Sequence, residues 1–196
     1  MPEEEYLGIK IDKSKDNKLS DQARKLLEKA DQENKLIQVG HIEQFNPAFL
    51  SLDLAKINPR FIESHRLSPF NPRGTDVPVV LDLMIHDIGI VLELVQSEIQ
   101  SIEANGVKVV SDSVDIANAR LKFKNGCVAN LTASRISQKK MRKLRFFQEN
   151  NYTTIDFIQN IVEMYEVSDI ELVPSENEMC FSLESNPPKF IIYRKP

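Results

Sequence analysis

The spacing of hydrophobic and polar residues changes character near Val95: helical periods dominate before it, strand-like alternation after it. SDQARKLLEKADQEN begins at Ser20, a favourable N-cap, and Ala23, Leu26, Leu27 and Ala30 then fall on one helical face. Asn34 suits the helix end. KLIQV (35–39) reads as a short buried strand ended by Gly40-His41, and YLGIKI (6–11) as another strand ahead of the helix. A helix, a tight turn and a buried strand make half of a βαβ unit, so residues 1–40 read as the tail of an α/β domain whose beginning is absent.

From His41 onward a second domain, 41–196, is expected. A short helix is predicted around Pro47 to Lys56, FIESHRL (61–67) alternates as a strand, and SPFNPRGTDVP (68–78) is a loop. VVLDLMIHDIGIVLELV (79–95) reads as a buried helix, apolar nearly all round. NARLKF, Asn125-Gly126 and CVANLTAS predict a hairpin, and KMRKLRFF, ENN and YTTIDF a second. Weaker strands follow at IVEMYEV, CFSL and KFIIY. The predicted fold class is α+β: an open, mostly antiparallel sheet packed on helices, preceded by the tail of a Rossmann-type domain.

Composition narrows the function classes. The 196 residues carry a formal net charge of -4, which argues against a general nucleic-acid binder. The greasy segment is too interrupted by charge to span a membrane, and MPEEEYLG has no apolar signal region, so a cytoplasmic protein is expected. Cys127 and Cys180 are far apart and read as free thiols, and no spacing of Cys or His suggests a metal site.

The chemistry lies in the greasy helix. On a regular helix Asp82, His86, Gly89 and Glu93 stand at i, i+4, i+7 and i+11, one polar stripe on an apolar cylinder. Asp82 and His86 are then one turn apart, and a carboxylate beside an imidazole favours the imidazolium and orients the ring. Such a pair serves general acid–base chemistry, although a buried histidine satisfied by its neighbours reads equally simply. The dipeptide His86-Asp87 also raises a metal-dependent phosphohydrolase, but such sites need several convergent ligands, and three histidines without linked spacing do not supply them.

VGHIEQFNPAF (39–49), ESHRLSPFNPRGTDVPVVLDLMIHDIGIVL (63–92) and DIANARLKFKNGCVANLTASRIS (115–137) together resemble the glucose–fructose oxidoreductase/inositol dehydrogenase/MocA (Gfo/Idh/MocA) family, over roughly positions 10 to 160. The resemblance implies a Rossmann domain holding NAD or NADP, followed by an α+β domain that shapes the site for a small sugar-like alcohol and builds the oligomer. It implies that His86 takes the hydroxyl proton and Asp82 orients it. Lys13, in IDKS, matches the family's catalytic lysine, with Asp12 and Ser14 in place of its Glu and Pro. His41 and Asn46 match a segment beside the nicotinamide and are candidate cofactor contacts. Arg66 and Arg73 are candidate substrate contacts; Arg66 and His65 project from alternate sides of one strand, so at most one faces the site.

The glycines stand at 8, 40, 74, 89, 106 and 126, so no G-x-G-x-x-G phosphate cradle is present. Two readings follow: the substrate and oligomerisation part of an NAD(P)-dependent oxidoreductase, inactive as this chain alone, or a non-catalytic ligand-binding or assembly module derived from that family. A homo-oligomer is expected through the polar-looking open face of the sheet, with Arg120, Lys122, Asn130, Thr132 and Ser134.

Overall fold

The computed structural model describes residues 5–6, 9–10, 21–37, 40–72, 77–171, 173–185, 187 and 189–194. The chain divides into two compact units, Met1–Gly40 and His41–Pro196.

In the first unit, β1 (Glu5–Tyr6) pairs antiparallel with β2 (Ile9–Lys10), so the single strand expected over 6–11 is instead a pair of two-residue strands. Helix α1 (Asp21–Gln32) forms where the apolar period places it. It ends at Asn34, whose positive φ of 50° lets the Lys35 N–H return to the Ala30 carbonyl at 2.9 Å. Ala30 is buried, while Leu26 and Leu27 are exposed. The strand expected at KLIQV is absent over 35–37, where Leu36 is 88% exposed. A buried strand needs ladder partners for its backbone, and no described strand pairs with this segment. Ser20, the expected cap, lies outside the described residues.

The second unit is a mixed nine-stranded sheet with few helices, in the order β10-β11-β9-β8-β7-β3-β6-β5-β4. Its strands are β3 (Phe61–Leu67), β4 (Ile99–Val107), β5 (Ile116–Phe123), β6 (Val128–Ser134), β7 (Met141–Gln148), β8 (Asn151–Asp156), β9 (Ile161–Ser168), β10 (Glu178–Leu183) and β11 (Lys189–Arg194). Central β3 runs parallel to β6 and antiparallel to β7; the other neighbours in this sheet pair antiparallel. The β5–β6 hairpin turns at Asn125-Gly126, where Gly126 takes φ +87°. Strand β4 was not foreseen from the sequence. It is the sheet edge, exposed at nearly every position, so burial imposes no alternation on it.

One face of the sheet carries the helices: α2 (Pro47–Leu50), α3 (Ile85–Val95) and the short 3-10 turns between His41 and Ile57. The expected 47–56 helix is therefore split into α2 and a 3-10 turn, Leu54–Lys56. Ile90, Val91 and Leu94 of α3 meet Ile62, Leu131, Leu144 and Phe146 of the sheet in the core. Each such aliphatic side chain is worth roughly 1.5–3 kcal/mol when fully buried. The greasy segment is helical throughout, but Val80–Met84 is a π-turn and Gln96 closes α3 in the left-handed region. Leu81 is 60% exposed and Asp82 is exposed, so the helix is covered on one side rather than all round. Among the described residues no helix is long and apolar enough to cross a membrane. Cys127 and Cys180 are free, and burial pushes the Cys127 thiol up to about 11.

Two carboxylates fasten the ends of this sheet. The Ser111 hydroxyl and the backbone N–H groups of Val109, Val110 and Ser111 donate to Asp115 and hold its carboxyl below the usual range. On β10, Arg194 and Ser175 hold Glu178 at about 2. Both shifts are downward, so their stabilisation is complete above the ordinary carboxylate range and is lost as pH falls through the lowered values. Hydrogen exchange at stepped acid pH is expected to show β10–β11 losing protection as pH drops from about 4.5 towards 2, with Glu178→Gln removing that acid transition.

Candidate functional site

The His86 neighbourhood is built by three segments of the second unit that meet on the helical side of β3. The 3-10 turn Ile42–Phe45 packs against α3, and its first hydrogen bond runs from Gln44 N–H to the His41 carbonyl at 3.1 Å. Gly89 lies beneath this turn, where a Cβ would make only an ordinary contact, 3.5 Å from Gln44 Nε2. Asn46 ends the turn and caps α2, its Oδ1 accepting from Ala48 N–H at 3.0 Å. Its Nδ2 donates to the Phe157 carbonyl and to Asn160 Oδ1, so Asn46 ties the turn to the β8–β9 connection.

Beneath this surface lies a buried ion cluster. Arg66 leaves β3 on the covered face and is 2% exposed. Its Nε and Nη2 donate to Asp87 Oδ1 at 2.9 and 2.7 Å, and its Nη1 donates to Glu43 Oε1 at 2.9 Å. Arg142, the cross-strand neighbour of Arg66 on β7, donates to the same Glu43 oxygen at 2.9 Å. Two guanidiniums side by side repel, and the two carboxylates offset that repulsion. All three Arg66 nitrogens are thus engaged by Glu43 and Asp87. The same alternation turns His65 to the other face, beside Glu63, Asn118 and Thr132 in a polar trough of about 600 Å³.

Burial pushes the Asp87 carboxyl up, against the opposing pull of Arg66. His86, one residue earlier, is half-buried, and its Nδ1 is buried without a hydrogen-bond partner. Desolvation lowers its pKa first, the Arg66 charge and His41 lower it further, and Glu43 and Asp87 only partly oppose them. The imidazole is therefore neutral at pH 7, able to accept a proton at its accessible nitrogen. This reverses the expected imidazolium. Asp82 is exposed on the π-turn, and no hydrogen bond or ion pair joins it to His86 among the described residues. The wider turn breaks the i, i+4 register that the sequence suggested. Lys13 and Arg73 lie outside the described residues.

Sequence reasoning missed Glu43, Asp87 and Arg142. A signal was present for the first two: an arginine at an inward position of an alternating strand demands buried carboxylates. No group of three or more His, Cys, Asp or Glu side chains that could hold a metal occurs among the described residues, and Asp87 turns to Arg66.

Residues 59–152 match the family described as the GFO/IDH/MocA C-terminal domain. The chain is 37% identical over 147 residues to the UDP-N-acetylglucosamine 3-dehydrogenase of Acidithiobacillus ferrooxidans, covering 74% of this chain and 47% of that protein. It thus spans about half the length of the curated relative, 47%. A solved structure of that dehydrogenase superposes with a TM-score of 0.66 at 38% identity, over 73% of this chain and 48% of the other. A levoglucosan dehydrogenase in complex with NADH shares the fold, with a TM-score of 0.58 at 14% identity over 68% of this chain and 44% of that one.

The cluster predicts a graded response in urea unfolding. Asp87→Ala strips the buried Arg66 charge of one of its two carboxylate partners and is expected to cost ~3–5 kcal/mol. Arg142→Gln, at a side chain 35% exposed, is expected to cost less, about 1 kcal/mol or below. Asp82→Asn is expected to stay within about 0.5 kcal/mol of the parent.

Proposed function

Since the chain belongs to the Gfo/Idh/MocA family through its C-terminal domain, we propose that it is the substrate and oligomerisation part of an NAD(P)-dependent oxidoreductase acting on a sugar-type alcohol. The observation that carries this reading is His86: a half-buried imidazole on α3, within the residues 59–152 that match the GFO/IDH/MocA C-terminal domain. Its role is to accept the proton of the substrate hydroxyl as that carbon is oxidised. A lowered pKa suits it, because a histidine already protonated at neutral pH could not accept. The relative's substrate makes UDP-N-acetylglucosamine the first ligand to try.

The described residues do not fit the diphosphate of a dinucleotide. Such a cradle needs glycines at a helix N-terminus, where a Cβ would meet the phosphates. Gly126 lies in a hairpin, Gly106 on edge strand β4 against Val114, Gly89 inside α3, and Gly40 opens no helix. Cofactor binding is therefore assigned to a nucleotide domain of the family type rather than to the described residues. The same misfit favours the second reading, a non-catalytic ligand-binding or assembly module.

The uncovered face of the sheet supports a homo-oligomer. Phe61, Phe147, Tyr152, Tyr165 and Tyr193 form one cross-strand row on that face, with ring centroids 5.9, 4.8, 5.3 and 4.8 Å apart. Beside it lies the polar trough with Arg120, Asn130 and Thr132. Ser134, expected on this surface, is buried instead, its hydroxyl accepting from Ile136 N–H. A second copy would cover the aromatic row.

Calorimetric titration of NADH, NADPH and UDP-N-acetylglucosamine into the 196-residue chain tests the reading. Binding of the nucleotide sugar, weakened by His86→Ala, is the expected result, with cofactor binding absent. Saturable sugar binding that is indifferent to His86→Ala favours the assembly module, and no sugar binding overturns the substrate role. Light scattering is expected to give a dimer or larger species, reduced to monomer by Tyr165→Glu.

A further inference from the structure

We propose that Arg66 is a positioning residue that fixes the spacing between His41 and His86; the proposal rests on the reading of His86 as the proton acceptor. The geometry is a fork with one histidine beyond each prong. Nη1 holds Glu43, two residues after His41 and on the same 3-10 turn. Nε and Nη2 hold Asp87, the residue after His86 on α3. A single planar guanidinium rooted in central β3 therefore ties together the two segments that carry the imidazoles.

The expense of this arrangement points to function. Arg66, Glu43 and Asp87 are all under a tenth exposed, and burying such charges is no better for stability than well-packed apolar side chains would be. What the fork supplies is register. A four-residue 3-10 turn has few internal hydrogen bonds to hold it, and the Glu43 carboxylate, shared by Arg66 and Arg142, is its buried tie to the sheet. The two imidazoles lie within electrostatic reach of each other, so a charge on His41 would oppose one on His86.

Four charged or titratable groups among the described residues bear on His86 directly. Glu43 and His41 face it from the turn, Arg66 from β3, and Asp87 from its own helix; Arg142 of β7 acts through Glu43. Asp82, exposed on the π-turn, is not among them. Arg66→Lys keeps the positive charge and loses the fork, so it separates positioning from simple charge.

The test is an imidazole NMR titration of the full chain, in which only three histidines give signals. In the parent protein, His86 is expected to titrate below its ordinary value, and His41→Gln to shift it upward. In the Arg66→Lys background the His41→Gln shift is expected to vanish. Glu43→Gln releases only the turn and keeps the Arg66–Asp87 pair, so it carries the same comparison if Arg66→Lys does not fold. A His41→Gln shift that survives in the folded variant, with only a lower melting temperature, overturns the proposal and makes Arg66 purely structural. Titration of UDP-N-acetylglucosamine into the same samples keeps the two ideas apart. Lost coupling without any sugar binding sinks the oxidoreductase reading alone, and intact coupling with sugar binding sinks the positioning role alone.

Discussion

A guanidinium buried in the centre of a sheet has to find carboxylates, and the Arg66 side chain finds one on each of the two segments laid over β3. That demand organises the helical face. It pulls α3 and the 3-10 turn at Ile42–Phe45 onto the same strand and draws Arg142 of β7 into contact with the shared oxygen of Glu43. It also sets the electrostatics of the neighbouring imidazole, because a fixed positive charge and desolvation together outweigh the two carboxylates at His86. Apolar packing around Ile90, Val91 and Leu94 gives the layer its cohesion. The ionic fork gives it direction, since hydrophobic contact alone is indifferent to small rotations of a helix.

Where burial leaves a period in the sequence, the fold could be read from it. FIESHRL, NARLKF and CVANLTAS alternate because one face of each strand meets the core, and all three are strands. Asn125-Gly126 specified its turn through the positive φ that glycine accepts. The family, too, was legible, from the joint appearance of VGHIEQFNP and the D-x-x-x-H helix. Edge strand β4 was not, because neither of its faces is buried and nothing imposes a period of two.

At the candidate site, the neighbours of His86 differ from those the helical period suggested. His86 stood out as an imidazole in an apolar helix. Its partner was assigned by assuming 3.6 residues per turn, and the π-turn at Val80–Met84 invalidates that assumption for Asp82. The carboxylate that matters, Asp87, is adjacent in sequence and lies on the buried side of α3, with a strand arginine 21 residues earlier. Pairings between a helix and a strand depend on tertiary register, which no local period encodes.

The aromatic row has a consequence for how this protein is observed. The chain contains no tryptophan and four tyrosines, and three of these stand in the row, at Tyr152, Tyr165 and Tyr193. The Tyr193 hydroxyl donates to Glu163 at 2.8 Å, and its pKa is pushed up to about 12, so the ring stays un-ionised well into alkali. Stacked phenols couple optically. Near-ultraviolet circular dichroism of this chain is therefore a local gauge of how β8, β9 and β11 hold together, installed by the sequence itself and requiring no label.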